Sequence, residues 1–382
     1  MRLCIVTHNV LKGDGQGRVN YEVVQAAIRR GDQVTLVAIE VSPDLQQHPQ
    51  IHWIKIPVKV PTILGKCMIF SQKSTAWLKQ HRDEFDLIKV NGSLTSVNSD
   101  VNAVHFVHSS WLRSPAHISR HRRDYYGTYQ WLYTWLNAYW EKQAFRRSKK
   151  MVAVSEKVKQ ELIELGVPST RIQVILNGVD VQEFSPGVGE RRQWHLPEAV
   201  PLGLFVGDIR SSRKNLDTVL KALVQVPQLH LAVVGAIEGS PYLNYAAQLN
   251  LSDRVHFLGY QKNVAEIMHT ADFFVLPSRY EACTLVLLEA MASGLPIITA
   301  KTAGGSEIVT PDCGVVLSDS ENVENLAEAL QLMTVDSSQR KQMGQVARTI
   351  AEQHTWSKAA DLYVNLFHQM TQQPTLSSQS QS

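Results

Sequence analysis

Cysteine is scarce in this chain. Cys4, Cys67, Cys283 and Cys313 lie far apart, with no Cys-x-x-Cys pair. That excludes a disulfide scaffold and a cysteine-based zinc site, and it suits a reducing compartment. An excess of either charge is missing too. The 38 Lys+Arg against 35 Asp+Glu leave +3, too little to argue for nucleic acid, and no recognised nucleic-acid module is present. No apolar run approaches the ~20 residues of a membrane span. The opening run Met1 to Val6 is too short for a signal peptide and is followed at once by His8, Asn9 and a glycine loop. A cytoplasmic protein whose structure begins at residue 2 is the expectation. Asp-x-Asp, His-Glu-x-x-His and Gly-x-Ser-x-Gly are all absent, so neither a metal-bridged diphosphate, a zincin nor a nucleophile elbow is expected.

What is present is an apolar fraction of 44% in 382 residues, enough for two cores at ~100–200 residues per domain. Apolar runs of strand length alternate with helix-period segments. The first series places strands at 2–7, 33–39, 51–57, 85–90, 101–107, 150–155 and 172–176, with helices near 18–30, 66–81, 125–147 and 156–165. A second series has strands at 202–207, 229–235, 255–258, 273–277, 296–299 and 314–317, with helices near 215–225, 241–249, 263–270 and 284–293. Continuous apolar strands between helices imply parallel sheets covered on both faces. The fold class is therefore α/β, with two Rossmann-like doubly wound domains, 1–185 and 200–345, facing a cleft. A helix over 356–370 carries Trp356, Ala360, Tyr363, Phe367 and Met370 on one stripe, and the first domain is one surface on which it can dock. The Ser/Gln-rich tail, 372–382, reads as disordered.

The strongest local signal is Glu281 and Glu289, separated by seven residues, running into Ala290-Met291-Ala292-Ser293-Gly294-Leu295-Pro296. Thr284 suits an N-cap, with a helix over Leu285 to Ala292. The amides of Leu285 and Val286 then form an anion site at a positive helix end. Leu287 stands where a capping box would put Glu or Gln, so no side chain competes with a ligand phosphate. Glu289, two turns in, is placed to accept hydrogen bonds from a ribose diol.

This element resembles the Glu-x7-Glu motif of the retaining GT-B glycosyltransferases of glycosyltransferase family 4. Val152-Ala153-Val154-Ser155-Glu156, Val174-Ile175-Leu176-Asn177-Gly178-Val179-Asp180 and Ala303-Gly304-Gly305-Ser306-Glu307 are similar to further motifs of that family, in the same order. The resemblance implies transfer of a hexose-type sugar, with retention and without a metal cofactor, from a nucleotide-sugar donor to a glycan, lipid-linked or small-molecule acceptor. It implies a donor-sugar contact for Glu281 and for His108, which follows the strand run Val104-His105-Phe106-Val107. It implies ribose binding by Glu289 and phosphate binding by the amides of Cys283, Thr284 and Leu285. The family often has Gly-Phe-Gly where this chain has Ala282-Cys283-Thr284, so only backbone roles carry over there.

A basic pair is expected after the first strand of the second domain. The chain reads Gly207-Asp208-Ile209-Arg210-Ser211-Ser212-Arg213-Lys214. Ile209 stands where the family pattern has Arg. Arg210 or Arg213 must substitute, while Lys214 aligns well. Cations suit a leaving nucleoside diphosphate that gains charge in the transition state. In the glycine loop Lys12-Gly13-Asp14-Gly15-Gln16-Gly17, Gly15 and Gly17 are the candidates for close approach to donor or acceptor.

Segment 111–150 holds nine Lys/Arg against Asp124 and Glu141, together with Trp111, Trp131, Trp135 and Trp140. Basic residues beside Trp and Tyr suit an anionic membrane surface, which would make the enzyme peripheral at the inner face of the membrane. A buried aromatic stripe with solvated charges is the other reading. Two functional alternatives stay open beside the transferase: a sugar-nucleotide isomerase or epimerase on the same fold, and a non-catalytic sugar-nucleotide-binding protein.

Overall fold

The computed structural model describes residues 1–13 and 15–372. Asp14 of the glycine loop and the tail from 373 onward lie outside the described residues; Gln372 itself ends a helix.

The first domain is built on a seven-stranded sheet in the order Ile51–Lys55, Gln33–Ala38, Arg2–Val6, Leu87–Asn91, Ser99–Val104, Ser148–Ala153, Ile172–Val174. The second has a six-stranded sheet, Val255–Gly259, His230–Val234, Leu202–Val206, Phe273–Leu276, Ile297–Ala300, Gly314–Leu317. Neighbouring strands pair in parallel throughout both sheets. Central strands such as Leu87–Asn91 and Phe273–Leu276 are buried along their whole length. This explains why they read as apolar runs rather than alternating patterns.

Each sheet reverses its winding once. The first does so between Arg2–Val6 and Leu87–Asn91, the second between Leu202–Val206 and Phe273–Leu276. Ligands of open α/β sheets bind outside the carboxyl ends of strands at such switch points. The loops following these strands are therefore where a ligand site is expected.

Helix Trp356–Gln372 packs on helix Gly15–Arg29 of the first domain, burying Ala360, Tyr363, Val364 and Phe367. The chain thus crosses back after completing the second domain. Phe367 is fully buried, and truncating such a side chain costs about 3–5 kcal/mol.

A second crossing is made by the segment before helix Leu285–Ala292. Ala282 belongs to the apolar cluster of Val104, Val107 and Phe145 in the first domain, and its carbonyl accepts from Ser155 Oγ at 2.6 Å. A Cβ on Gly304 would lie 1.9 Å from that carbonyl oxygen, so the close approach requires glycine there.

Helices Val323–Val335 and Ser337–Ala351 follow the last strand, Gly314–Leu317, and were not assigned from the sequence pattern. The second sits against helix Leu285–Ala292, where Arg348 donates to the carbonyls of Val181, Phe184 and Ala292.

Candidate active site

A cavity of about 550 Å³ opens between the two switch points. Lys12, Gly13, Gly15 and Arg18 line it from the first domain. Gly207, Asp208, Arg210, Gly235, Leu285 and Glu289 line it from the second, and Asp180 and Glu183 from the connection between them.

Glu281 follows strand Phe273–Leu276 and is held by its backbone. Its amide donates to Thr302 O at 3.3 Å, and its carbonyl accepts from Gly304 N at 3.0 Å. The carboxylate is nearly buried. Arg213 Nη1 lies 2.8 Å and Lys214 Nζ 2.9 Å from Glu281 Oε1. Neither contact has hydrogen-bond alignment, so this oxygen has ion-pair neighbours but no aligned donor. The two cations sit on the turn Ser212–Lys214, which ends at Asn215 with φ 67°. Asn215 is fully buried, and its Nδ2 donates to Pro277 O and Ser320 O. That fixes the basic turn to the loop carrying Glu281. Of the two arginines, Arg213 is the one at Glu281. Arg210 stays on the cavity wall and pairs with Asp208 at 2.8 Å.

Helix Leu285–Ala292 points its amino end at the cavity. Thr284 is its N-cap but makes no side-chain capping bond, and its Oγ1 is buried with no partner. The helix end is thus left uncapped, as an anion site requires. One expected phosphate contact needs correction. The Thr284 amide is already spent on Gly304 O at 2.9 Å. The Cys283 thiol lies beside Asn177, and burial pushes it up to about 12. Leu285 remains in place.

Gly15 and Gly17 are not loop residues. Both lie in the first turn of helix Gly15–Arg29, and only Gly15 lines the cavity. A Cβ on Gly15 would meet Leu285 Cδ1 at 3.4 Å, so two helix amino ends meet across the cavity. Gly17 is buried in the helix and is not among the residues lining the cavity.

Glu289 reaches the cavity from the second turn of its helix. Burial, reinforced by Glu183, pushes its carboxyl up to about 7. A half-buried carboxylate facing the cavity is a natural acceptor for a diol.

His108 does not sit at a strand end. The strand stops at Val104, and His108 is the first residue of a short helix, His108–Arg113. Its amide and Nδ1 both contact Glu141 Oε2, at 2.9 and 3.1 Å, while Ser109 N donates to Glu141 Oε1 at 2.8 Å. One carboxylate therefore caps the turn and orients the ring. His105 is half-buried, and desolvation lowers its imidazole to about 3. His108 touches Phe106, which packs edge-on against Tyr280, the neighbour of Glu281. It lies outside the lining of the present cavity.

Sequence reasoning missed Arg18, which pairs with Glu22 at 2.7 Å, approaches Asp180 at 3.7 Å and lies over the Trp356 ring. It also missed Lys12, Glu183 and Lys262 on the cavity wall. Their only signal is position: Lys12 comes soon after the central strand Arg2–Val6, Lys262 follows the edge strand Val255–Gly259, and Glu183 lies on the connection between the domains.

In helix Tyr125–Arg147 the aromatic stripe faces outward. Trp131 and Trp135 are each 46% exposed and stack on one another, and Tyr139 is 56% exposed. Trp111, by contrast, is buried beside Tyr280. Among the described residues, no helix is long and apolar enough to cross a membrane.

Residues 13–183 match the family described as Glycosyltransferase Family 4, and residues 189–350 match Glycosyl transferases group 1. Over 248 residues the chain is 29% identical to a D-inositol 3-phosphate glycosyltransferase of Xylanimonas cellulosilytica; the match covers 60% of this chain and 59% of that relative. It is 26% identical over 279 residues to an Escherichia coli UDP-Gal:alpha-D-GlcNAc-diphosphoundecaprenol alpha-1,3-galactosyltransferase, covering 67% and 68%. Among solved structures, sucrose-phosphate synthase from Thermosynechococcus elongatus superposes with a TM-score of 0.76 at 21% identity, over 97% of this chain and 99% of that one. That likeness establishes the GT-B architecture. With both halves matched in order, the chain belongs to the group 1, family 4 glycosyltransferases.

Proposed function

We propose that this protein transfers a hexose-type sugar from a nucleoside diphosphate sugar to an acceptor, with retention of anomeric configuration and without a metal ion. The observation carrying the reading is the placement of Arg213 and Lys214 on Glu281 Oε1 beside an uncapped helix end. A diphosphate arriving at that end would meet two cations and the free amides of the first helical turn. These neutralise the charge that grows on the leaving phosphate. Glu281, on the loop after strand Phe273–Leu276 and beside both cations, would stand next to the donor sugar. Attack on the same face, assisted by the departing phosphate and the two cations beside it, is the mechanism we adopt, and none of its steps needs a second carboxylate. Glu289 takes the ribose.

The acceptor comes from the first domain. The outward Trp131, Trp135 and Tyr139 and the basic residues around them support contact with an anionic membrane surface. The E. coli relative, whose name includes a diphosphoundecaprenol-linked sugar, favours a lipid-linked acceptor.

The test is product analysis with a panel of nucleotide sugars, with and without acceptor, on wild type and Glu281→Gln. Transfer with retained configuration, lost at least 100-fold in the variant, is expected. Isomerised sugar nucleotide formed without acceptor would assign the isomerase reading, and transfer within threefold of wild type in Glu281→Gln would remove Glu281 from the chemistry.

A further inference from the structure

Lys89 lies in the middle of strand Leu87–Asn91, paired with Ile5 on the central strand of the first domain. It is fully buried, and among the described residues no carboxylate pairs with it. Burial of a lone ammonium is costly, and it lowers this lysine to about 7. Its partners are amide oxygens: Nζ donates to Asn20 Oδ1 and, at 2.8 Å, to Asn91 Oδ1. The Tyr363 ring lies 6.0 Å away. Three neighbouring polar atoms, Asn91 Nδ2, His105 Nε2 and Tyr363 Oη, are buried without partners. An apolar side chain would fit a core position like this with less penalty.

The Lys89 contact leads to the cavity. With Oδ1 held by Lys89, the Asn20 amide is oriented so that Nδ2 donates to Gln16 O at 3.1 Å and Thr7 Oγ1 at 2.9 Å. Gln16 lies in the first turn of helix Gly15–Arg29, between the glycine that faces Leu285 and the one buried beneath it. First-turn carbonyls are otherwise held only by amides one turn later. Asn20, one turn along the same helix, adds a side-chain tie to this turn, and Lys89 anchors that side chain to the sheet.

We propose that Lys89 is a positioning residue: through Asn20 it holds the first turn of helix Gly15–Arg29 in the place where that helix end faces the donor phosphates. The inference rests on the reading of the cavity as a phosphate site. It assigns Lys89 no contact with substrate. It also accounts for a buried ammonium retained on an amide pair, where a methionine would avoid the desolvation.

Two substitutions interrupt the path at different points. Lys89→Met removes the donor to Asn20. Asn20→Asp keeps an acceptor for Lys89, now as an ion pair, and removes the Nδ2 donor to Gln16. Full-length wild type and both variants are compared by calorimetric titration with pyrophosphate, which needs no base, and by amide hydrogen exchange without ligand. The amides of Val19, Asn20 and Tyr21, which close the first turn, are expected to exchange at least tenfold faster in both variants, with the second domain unchanged. Pyrophosphate is expected to bind at least fivefold more weakly in both. Asn20→Asp is expected to unfold no earlier than wild type, which separates a positioning loss from a general loss of stability. Unchanged exchange at these three amides in Asn20→Asp would overturn the proposal, even if Lys89→Met fails to fold. So would wild-type pyrophosphate affinity in that variant. No pyrophosphate binding by wild type would instead count against the phosphate reading of the cavity, while the exchange result still decides the role of Lys89.

Discussion

Lys214 Nζ stands 2.9 Å from Glu281 Oε1, a buried oxygen that accepts no aligned hydrogen bond. The geometry leaves the ammonium free to donate to a third group, and the adjacent uncapped helix end indicates where that group sits. Lys214 is also pressed against Gly207, where a Cβ would meet its Cγ at 3.1 Å. Its stem is thereby fixed while its tip remains available. Lys214→Ala is expected to weaken nucleoside diphosphate binding roughly 10–100-fold, since hydrogen bonds to charged groups contribute about 1.5–3 kcal/mol. Turnover should fall with it, because the same charge acts on the leaving group. Calorimetric titration measures the first effect, and unchanged affinity would assign the phosphates to Arg213 or Arg210.

The carboxyl of Glu289 offers a pH signature. Burial and Glu183 raise it to about 7 in the free protein. Ribose hydroxyls donating to it favour the ionised form, so bound nucleotide lowers its pKa and binding releases a proton. Affinity is expected to rise as pH increases from about 5 to 7 and then level off above the free-state value. Glu289→Gln should abolish this dependence. A titration series across that range is the check, and the same slope in wild type and variant would show that another group titrates.

A third expectation concerns metal. The sequence has no Asp-x-Asp pair, and Arg213, Lys214 and a helix end converge where a cation would otherwise bridge the diphosphate. Transfer is therefore expected to proceed at an unchanged rate in EDTA. Loss of activity reversed by Mg²⁺ or Mn²⁺ would mean that the phosphates are bridged by metal after all.

The strands were legible because burial on both faces imposes continuous apolar runs, and the cores of both sheets follow those runs. Helix Trp356–Gln372 was legible from a stripe whose members Tyr363 and Phe367 are now buried on the first domain. Backbone accounting was not legible. Nothing in the letters Cys283-Thr284 says that the second amide is used by Gly304, a contact made across some twenty residues of intervening chain. Gly15 and Gly17 looked alike in sequence because glycine suits both a ligand approach and a helix packed tightly on its neighbours. His108 reads as standing at a strand's carboxyl end because the run Val104 to Val107 continues past the last pairing residue, Val104. Arg18 and Lys89 gave no signal, since a single cation in a strand or helix reads as solvated until its surroundings are known.

The final prediction concerns the exposed face of helix Tyr125–Arg147. Trp131 and Trp135 stack in parallel at 6.2 Å and remain 46% open. Tyr125 is 89% and Tyr139 56% exposed. An aromatic stripe left in water on a helix flanked by Arg122, Arg123, Lys142 and Arg146 fits the boundary layer of an anionic bilayer, where rings bury and cations stay wet. Each Lys or Arg near such a surface contributes about 1 kcal/mol, and salt screens that attraction over about 10 Å. Burial of the rings is not screened. Sedimentation with anionic and neutral vesicles at low and moderate salt should therefore show two separable parts. Preference for anionic vesicles is expected at low salt and should shrink as salt rises. A remainder should persist at moderate salt and disappear in Trp131→Ala/Trp135→Ala, which leaves the basic residues intact. No anionic preference at low salt would refute membrane contact through this helix and make a soluble acceptor the better reading. A salt-sensitive part with no remainder would mean that the charges dock and the rings stay in water, free to stack on an acceptor sugar.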